Sequence, residues 1–108
     1  MAVKDILETE IPKRLTAKPE LAKELNAVIH FDITGDGGGA WTLDATKSEG
    51  WVSEGKNGES KMTITATAAD FEKILSKQLS AQTAAMTGKL KFKPMDMGLA
   101  MKLAKLMG

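Results

Sequence analysis

The hydrophobic residues of this 108-residue chain change their spacing at Ala27. Before this residue they recur every three or four positions, as on one face of a helix. After it, they alternate with polar residues in five short segments, as in strands with one buried face. These segments are 27–34, 40–46, 50–53, 61–67 and 89–93, and helical patterns precede, interrupt and follow them. Since the segments show no regular strand–helix–strand alternation, the pattern predicts an α+β fold.

Each predicted strand has one apolar and one polar side, so we expect helices to cover one face of the sheet and water the other. The glycine-rich run 35–39 predicts the turn of a hairpin between the first two strands. We find no internal repeat, low-complexity tract or linker. Residues 1–108 are therefore expected to form one domain.

Capping residues and prolines set the expected helix boundaries. Pro12 is expected to kink or end the first helix, and Pro19 to begin the second. Thr67 and Ser80 are expected to cap the helices that follow them. The last helix is expected to run over 95–107.

The composition excludes several kinds of chemistry. Cysteine is absent, so the chain has no thiolate nucleophile, disulfide or cysteine-based metal site. The single histidine, His30, lies on a polar strand face without a nucleophile pattern around it. Gly88-Lys89 lacks the following Ser or Thr of a phosphate-binding loop. We expect no catalytic residue, no metal and no cofactor, so the chain is expected not to be an enzyme.

Positive charge is concentrated at the end of the sequence. Residues 1–72 carry 8 basic and 13 acidic side chains, whereas residues 73–108 carry 7 basic side chains and one acidic side chain. Such a segment attracts phosphates of anionic lipids, or it balances the acidic remainder of the domain. Phe92 points away from the neighbouring lysines, which disfavours a stacking surface for nucleic acid. No apolar run reaches the roughly 18 residues of a membrane span, and no secretory signal is recognised.

Methionine is enriched near the same end. Five of the seven methionines lie in the last 23 residues, and the last helix is apolar around most of its circumference. Methionine adapts to irregular and changing apolar surfaces. The excess apolar surface therefore packs in the core, lines a ligand cavity, or meets a partner helix or second copy.

At these residues the sequence resembles the sterol-carrier-protein family, the SCP-2-like sterol-binding domain. Gly88-Lys89-Leu90-Lys91-Phe92 and the segment 97–103 (MGLAMKL) are similar to two of its motifs. Further similarity lies at 40–44, 62–65, 70–71 and 20–34, so the resemblance covers about residues 20–107 in the correct order. Two departures are a link one residue longer at 93–96 and Ala85 at a position where bulky aromatic residues are common.

The resemblance implies a single five-stranded, mixed, mostly antiparallel sheet covered on one face by helices and enclosing an apolar cavity. It implies non-catalytic binding and transfer or presentation of sterols, fatty acids, fatty acyl-CoA esters or phospholipids in a tunnel closed by the last helix. The alternative is a protein-interaction or dimerisation module using the methionine-rich face of that helix. The candidate lipid contacts are Trp41, Phe71, Ile74, Leu75, Gln82, Met86, Leu99, Met101 and Leu103.

Gln82 is distinguished among them because the family has a glutamine there and a carboxamide could orient a polar head group. A lipid carrier must also meet a membrane transiently. The candidate contacts with anionic bilayers are Lys89, Lys91, Lys93, Lys102 and Lys105. The chain ends in Leu106-Met107-Gly108 rather than in a peroxisomal address, which favours a cytoplasmic protein. We expect it to be a monomer.

Overall fold

The structure is a computed structural model that describes residues 2–94 and 96–107. Five strands form one sheet in the order β3-β2-β1-β4-β5. Strands β1 and β4 run parallel, and the other three neighbouring pairs run antiparallel. The predicted mixed, mostly antiparallel sheet is confirmed. The strands are β1 (Val28–Thr34), β2 (Gly39–Asp44), β3 (Val52–Glu54), β4 (Met62–Thr67) and β5 (Leu90–Lys93).

Three helices lie before the sheet, two between β4 and β5, and one after β5. The first pair is continuous through a π-helical turn at Ile6–Glu10. The helices are α1 (Val3–Asp5), α2 (Ile11–Ala17), α3 (Pro19–Leu25), α4 (Ala68–Leu75), α5 (Ala81–Met86) and α6 (Met97–Met107). None of the helices described here has the length and apolar character that a membrane crossing requires.

Pro12 was expected to kink or end the first helix, and the helix does not end there. The N–H of Ile11 bonds to the carbonyl of Ile6, five residues back, so a π-helical turn immediately precedes the proline. Pro12 then lies in the first turn of α2, where its fixed φ suits a helix, although it has no N–H to donate to the preceding turn. The chain therefore keeps one continuous N-terminal helix over 3–17.

The predicted caps are confirmed. The Thr67 hydroxyl accepts a hydrogen bond from the N–H of Asp70 at 3.2 Å, and the Ser80 hydroxyl accepts one from Thr83 at 3.0 Å. Asp96 caps α6 in the same way, because its Oδ1 accepts from the N–H of Leu99 at 3.1 Å. Met95, the first residue of the expected last helix, lies outside the described residues.

The loop after β3 covers part of the sheet face that we expected to contact water. Thr42 donates its hydroxyl to the carbonyl of Gly55 at 2.6 Å and accepts from the N–H of Asn57 at 2.8 Å. Nε2 of His30 lies 3.2 Å from the carbonyl of Asn57. As a result, His30 and Thr42 are buried. The expectation was wrong over β1 and β2 because the chain must cross both strands to pass from β3 to β4.

Candidate functional site

A row of large apolar side chains crosses the covered face of the sheet. Phe31 of β1 pairs with Trp41 of β2 on one side and with Ile64 of β4 on the other. Phe92 of β5 extends the row beyond Ile64. Phe31, Trp41 and Ile64 are buried. Side chains alternate between the two faces of a sheet, and residues that are directly paired on neighbouring strands point to the same face. These four residues are paired in this way and therefore share one face.

Helix α4 places Phe71 directly over this row. The rings of Phe71 and Phe31 are 5.8 Å apart and inclined at 70°, an edge-to-face arrangement. Ile74 and Leu75 lie on the same buried side of α4. The cap at Thr67 fixes where α4 begins, immediately after β4, and thereby where Phe71 meets the sheet.

Trp41 has one polar contact. Its Nε1–H donates to a carboxylate oxygen of Glu8 at 2.9 Å, which links β2 to the π-helical turn. A side chain at Gly39 would disturb the indole, since a Cβ there would lie 3.1 Å from its Cη2 atom and Gly39 has a φ of +155°. The orientation of Trp41 therefore depends on residues from two other segments.

Helix α6 packs one side against the buried apolar layer, which consists of the row of sheet side chains and the residues of α4 above it, and exposes its other side to solvent. Leu99, Leu103, Leu106 and Met107 are buried, whereas Met97, Met101, Lys102 and Lys105 are exposed. Arg14 of α2 donates to the carbonyls of Leu106 and Met107, and Lys105 approaches Glu24 of α3 at 3.8 Å. The N-terminal helices thus hold the C-terminal end of α6.

The structure brings six of the nine predicted lipid contacts into the buried apolar core. They are Trp41, Phe71, Ile74, Leu75, Leu99 and Leu103. The other three lie on the surface, because Gln82 and Met86 are on the outer side of α5 and Met101 is on the outer side of α6. In this arrangement, the Gln82 carboxamide does not face the apolar layer. An enclosed cavity and the nine lipid contacts stay predictions.

An open cleft of about 360 Å³ lies between the N-terminal helix and the end of α4. Ile6 and Leu75 supply apolar walls, and charged side chains from both helices form its rim. The lining residues are Ile6, Glu10, Arg14, Glu72, Lys73, Leu75, Ser76 and Gln78. The cleft has the volume of a small ligand pocket and reaches the buried layer at Leu75.

Sequence reasoning missed Arg14 and Glu8. Arg14 is the single arginine of the chain, beside fourteen lysines, which is a signal that could have singled it out. Arginine is preferred over lysine where one side chain must reach two acceptors. Glu8 carries no such signal, since it is one of several acidic residues in the first helix.

The five predicted membrane-contact lysines do not share one element. Lys91 and Lys93 alternate with Leu90 and Phe92 on β5 and project from the face of the sheet opposite the helices, which we call the open face. Lys102 and Lys105 lie on α6, on the side of the sheet that the helices cover. Lys89 lies in the turn between α5 and β5.

Comparisons with known proteins agree with this architecture. The SCP-2 sterol transfer family matches residues 6–108. Hydroxysteroid dehydrogenase-like protein 2 of Pongo abelii is 38% identical over 89 residues, which cover 82% of this chain and 21% of that protein. The chain therefore spans about a fifth of the length of this relative.

Two solved structures have the same fold and similar sequences. Palmitated SCP2L2 of Aedes aegypti has a TM-score of 0.79 and 28% identity, covering 99% of this chain and 95% of the other. The apo form of sterol carrier protein 2 of Yarrowia lipolytica has a TM-score of 0.70 and 28% identity, covering 96% and 82%. With the family match across nearly the whole sequence, the conclusion is that the chain belongs to the SCP-2 sterol transfer family.

Proposed function

We propose that this chain binds an apolar lipid without covalent chemistry, between the helices and the covered face of the sheet, and transfers or presents it. The supporting observation is the family match over residues 6–108, together with the likeness to a palmitated relative at a TM-score of 0.79. The ligand class is a fatty acid, fatty acyl-CoA, sterol or phospholipid. A hydrocarbon chain would replace contacts among apolar side chains without leaving polar groups unpaired.

Helix α6 is the element that we propose closes the lipid tunnel. Its buried side contributes Leu99 and Leu103 to the apolar core. The polar contacts that hold its C-terminal end are the two hydrogen bonds from Arg14 and the exposed 3.8 Å ion pair between Lys105 and Glu24. Moving α6 outward would open the layer without breaking a strand pair. Gln82, Met86 and Met101 are exposed in the closed arrangement, so we propose that they contact lipid only after α5 and α6 have shifted.

We also propose that some of the five candidate lysines near the C-terminus orient the protein on anionic membranes for lipid exchange. Lys89, Lys91, Lys93 and Lys102 form no salt bridge within residues 2–94 and 96–107, and Lys105 makes only the 3.8 Å contact with Glu24. Each lysine near an anionic surface contributes about 1 kcal/mol to the free energy of membrane binding, so several lysines together can support reversible docking.

Within this proposed function, presentation means delivery of the lipid to an enzyme on another chain. The matched relative of Pongo abelii is named as dehydrogenase-like and is much longer than this chain. Under this proposal, a separate oxidoreductase receives the ligand directly. Lipid transfer between vesicles in the absence of any enzyme favours the carrier function, whereas transfer that requires the enzyme favours presentation.

The decisive experiment combines native mass spectrometry of the purified protein with quenching of tryptophan by a brominated fatty acid. The Trp51→Phe variant leaves Trp41 as the single tryptophan, and Trp41→Phe is the matched variant that leaves Trp51. We expect saturable quenching of Trp41 that is much stronger than that of Trp51, and displacement by palmitate. Absence of bound lipid and of saturable quenching in both variants would exclude the proposed function.

A further inference from the structure

Three methionines are the large hydrophobic side chains that the described part of the chain leaves exposed. Met86 at the end of α5 is 79% exposed, and Met97 and Met101 on α6 are 67% and 64% exposed. Met97 and Met101 are four residues apart, so they are neighbours on one side of α6. Helix α5 packs against α6. We refer to Met97 and Met101 on the outer side of α6 as the methionine patch.

Basic side chains continue the same side of α6. Lys105 lies four residues after Met101 and therefore extends the line formed by Met97 and Met101. Lys102 lies beside Met101 on the exposed side. Two acidic residues contact this helix in the described structure: Asp96 directs its Oδ1 to the N–H of Leu99 at the beginning of α6, and Glu24 of α3 lies 3.8 Å from Lys105. The outer side of α6 is therefore apolar in its first half and basic in its second half.

This combination fits an anionic bilayer. A helix with exposed apolar and basic side chains lies at a membrane interface, with the apolar groups in the acyl region and the cations at the phosphates. Methionine is flexible and suits a fluid partner without fixed shape. Lys102 and Lys105 make the second half of the outer side of α6 positively charged, which is complementary to an anionic surface.

We propose that the methionine patch inserts into the acyl region of anionic phospholipid bilayers while Lys102 and Lys105 bind the head groups. This inference deepens the proposed function and rests on it, since lipid exchange requires contact with a membrane. It makes the outer side of α6 the docking surface, whereas Lys91 and Lys93 on the open face of the sheet do not dock. The same helix then contacts the bilayer with one side and covers the apolar layer with the other.

The absence of cysteine allows a direct test by single-site labelling. An environment-sensitive fluorophore is attached to Met101→Cys and, as the control, to Thr46→Cys in the exposed turn after β2. With vesicles of phosphatidylcholine and phosphatidylserine, we expect the Met101 label to shift to the blue and brighten, and the Thr46 label to stay unchanged. Pure phosphatidylcholine should give a weaker response, and a Met101 label that stays polar on the mixed vesicles overturns the proposal.

Vesicle co-sedimentation of unlabelled variants separates the contributions of the methionine and lysine side chains to membrane binding. Met97→Gln/Met101→Gln should reduce partitioning to the mixed vesicles about 10-fold, equivalent to about 1.4 kcal/mol. Met97→Leu/Met101→Leu should retain it. Lys102→Gln/Lys105→Gln should weaken partitioning, and its charge-matched control Lys91→Gln/Lys93→Gln should not. Equal partitioning of the Gln and Leu methionine variants, or an equal effect of the two lysine pairs, contradicts the proposal.

Binding of a fluorescent fatty acid, measured on the same variants, separates this inference from the proposed function. Fatty-acid binding without insertion of the Met101 label rejects the methionine patch as a docking surface and leaves the proposed function intact. Insertion without fatty-acid binding rejects the proposed function alone. A stable dimer in light scattering that buries the Met101 label without vesicles would assign the patch to a second copy and overturn the proposal.

Discussion

The guanidinium of Arg14 donates from Nη1 to the carbonyl of Met107 at 2.7 Å, joining α2 to the end of α6 across 93 positions of sequence. The same nitrogen donates to the carbonyl of Leu106 at 3.0 Å. The last carbonyls of a helix lack helical partners, and a cation there also complements the helix dipole. Arg14 therefore satisfies the end of the helix that we propose opens for lipid.

Replacing Arg14 with Gln should weaken this attachment. Hydrogen bonds from a charged donor contribute about 1.5–3 kcal/mol, so we expect a loss of about 1–2 kcal/mol in the free energy of unfolding for this half-buried residue. Urea denaturation measures the loss, and hydrogen exchange should show it first in the amides of α6. Arg14→Lys is the control that keeps the charge but reaches two carbonyls less well, and it should fall between the two proteins. Equal exchange in α6 for all three proteins would contradict the attachment.

Fixing α6 to α3 should prevent lipid uptake without unfolding the protein. Glu24 and Lys105 form a 3.8 Å ion pair between exposed side chains, so cysteines at these positions can be joined by a short bismaleimide. Loss of an exposed pair costs at most about 1 kcal/mol, so Glu24→Cys/Lys105→Cys should fold. We expect slow fatty-acid uptake after cross-linking and normal uptake before it, measured by stopped-flow fluorescence. Unchanged uptake in the cross-linked protein would show that the lipid enters without movement of α6 away from α3.

The strands and caps could be predicted because their determinants are local. The alternation of Ile29, Phe31 and Ile33 with polar residues specifies which side of β1 is buried, and a hydroxyl three residues before a free N–H specifies a cap at Thr67. The cover over His30 and Thr42 could not be predicted in this way. It follows from the position of β3 at the sheet edge, which is a property of the whole topology.

In the candidate site, too, the features set by local sequence could be predicted, whereas those set by contacts between distant segments could not. The apolar pattern selected Phe71 and Leu103 correctly as inward-facing residues of α4 and α6. The pattern does not say which side of a mostly apolar helix faces solvent, and Met101 lies on the exposed side. The contact between Arg14 and Met107 joins opposite ends of the sequence and has no local signature beyond the rarity of arginine.

The hydroxyl of Thr42 should stabilise the loop that covers the open face. Thr42→Val keeps the side-chain volume but leaves the carbonyl of Gly55 and the N–H of Asn57 without this partner. We expect a loss of about 1–3 kcal/mol in the free energy of unfolding, measured by urea denaturation. Fatty-acid affinity should not change, because Thr42 points away from the helix-covered face. Thr65→Val, on β4 beyond the loop, is the control and should have a smaller effect.

The position of the proposed lipid site can be tested by creating a cavity with the same Leu→Ala substitution at two buried positions. Leu103 of α6 and Leu15 of α2 are both fully buried, but only Leu103 belongs to the proposed lipid contacts. Each Leu→Ala change should cost about 2–5 kcal/mol of unfolding free energy without ligand. A ligand that binds the folded state stabilises it according to its affinity, so a fatty-acid chain that occupies the space left at position 103 should restore part of the loss there. We expect palmitate to raise the thermal midpoint of Leu103→Ala more than those of the parent protein and of Leu15→Ala, measured by thermal denaturation at matched palmitate concentrations. An equal rise for both variants would place the lipid away from Leu103 and remove α6 from the site.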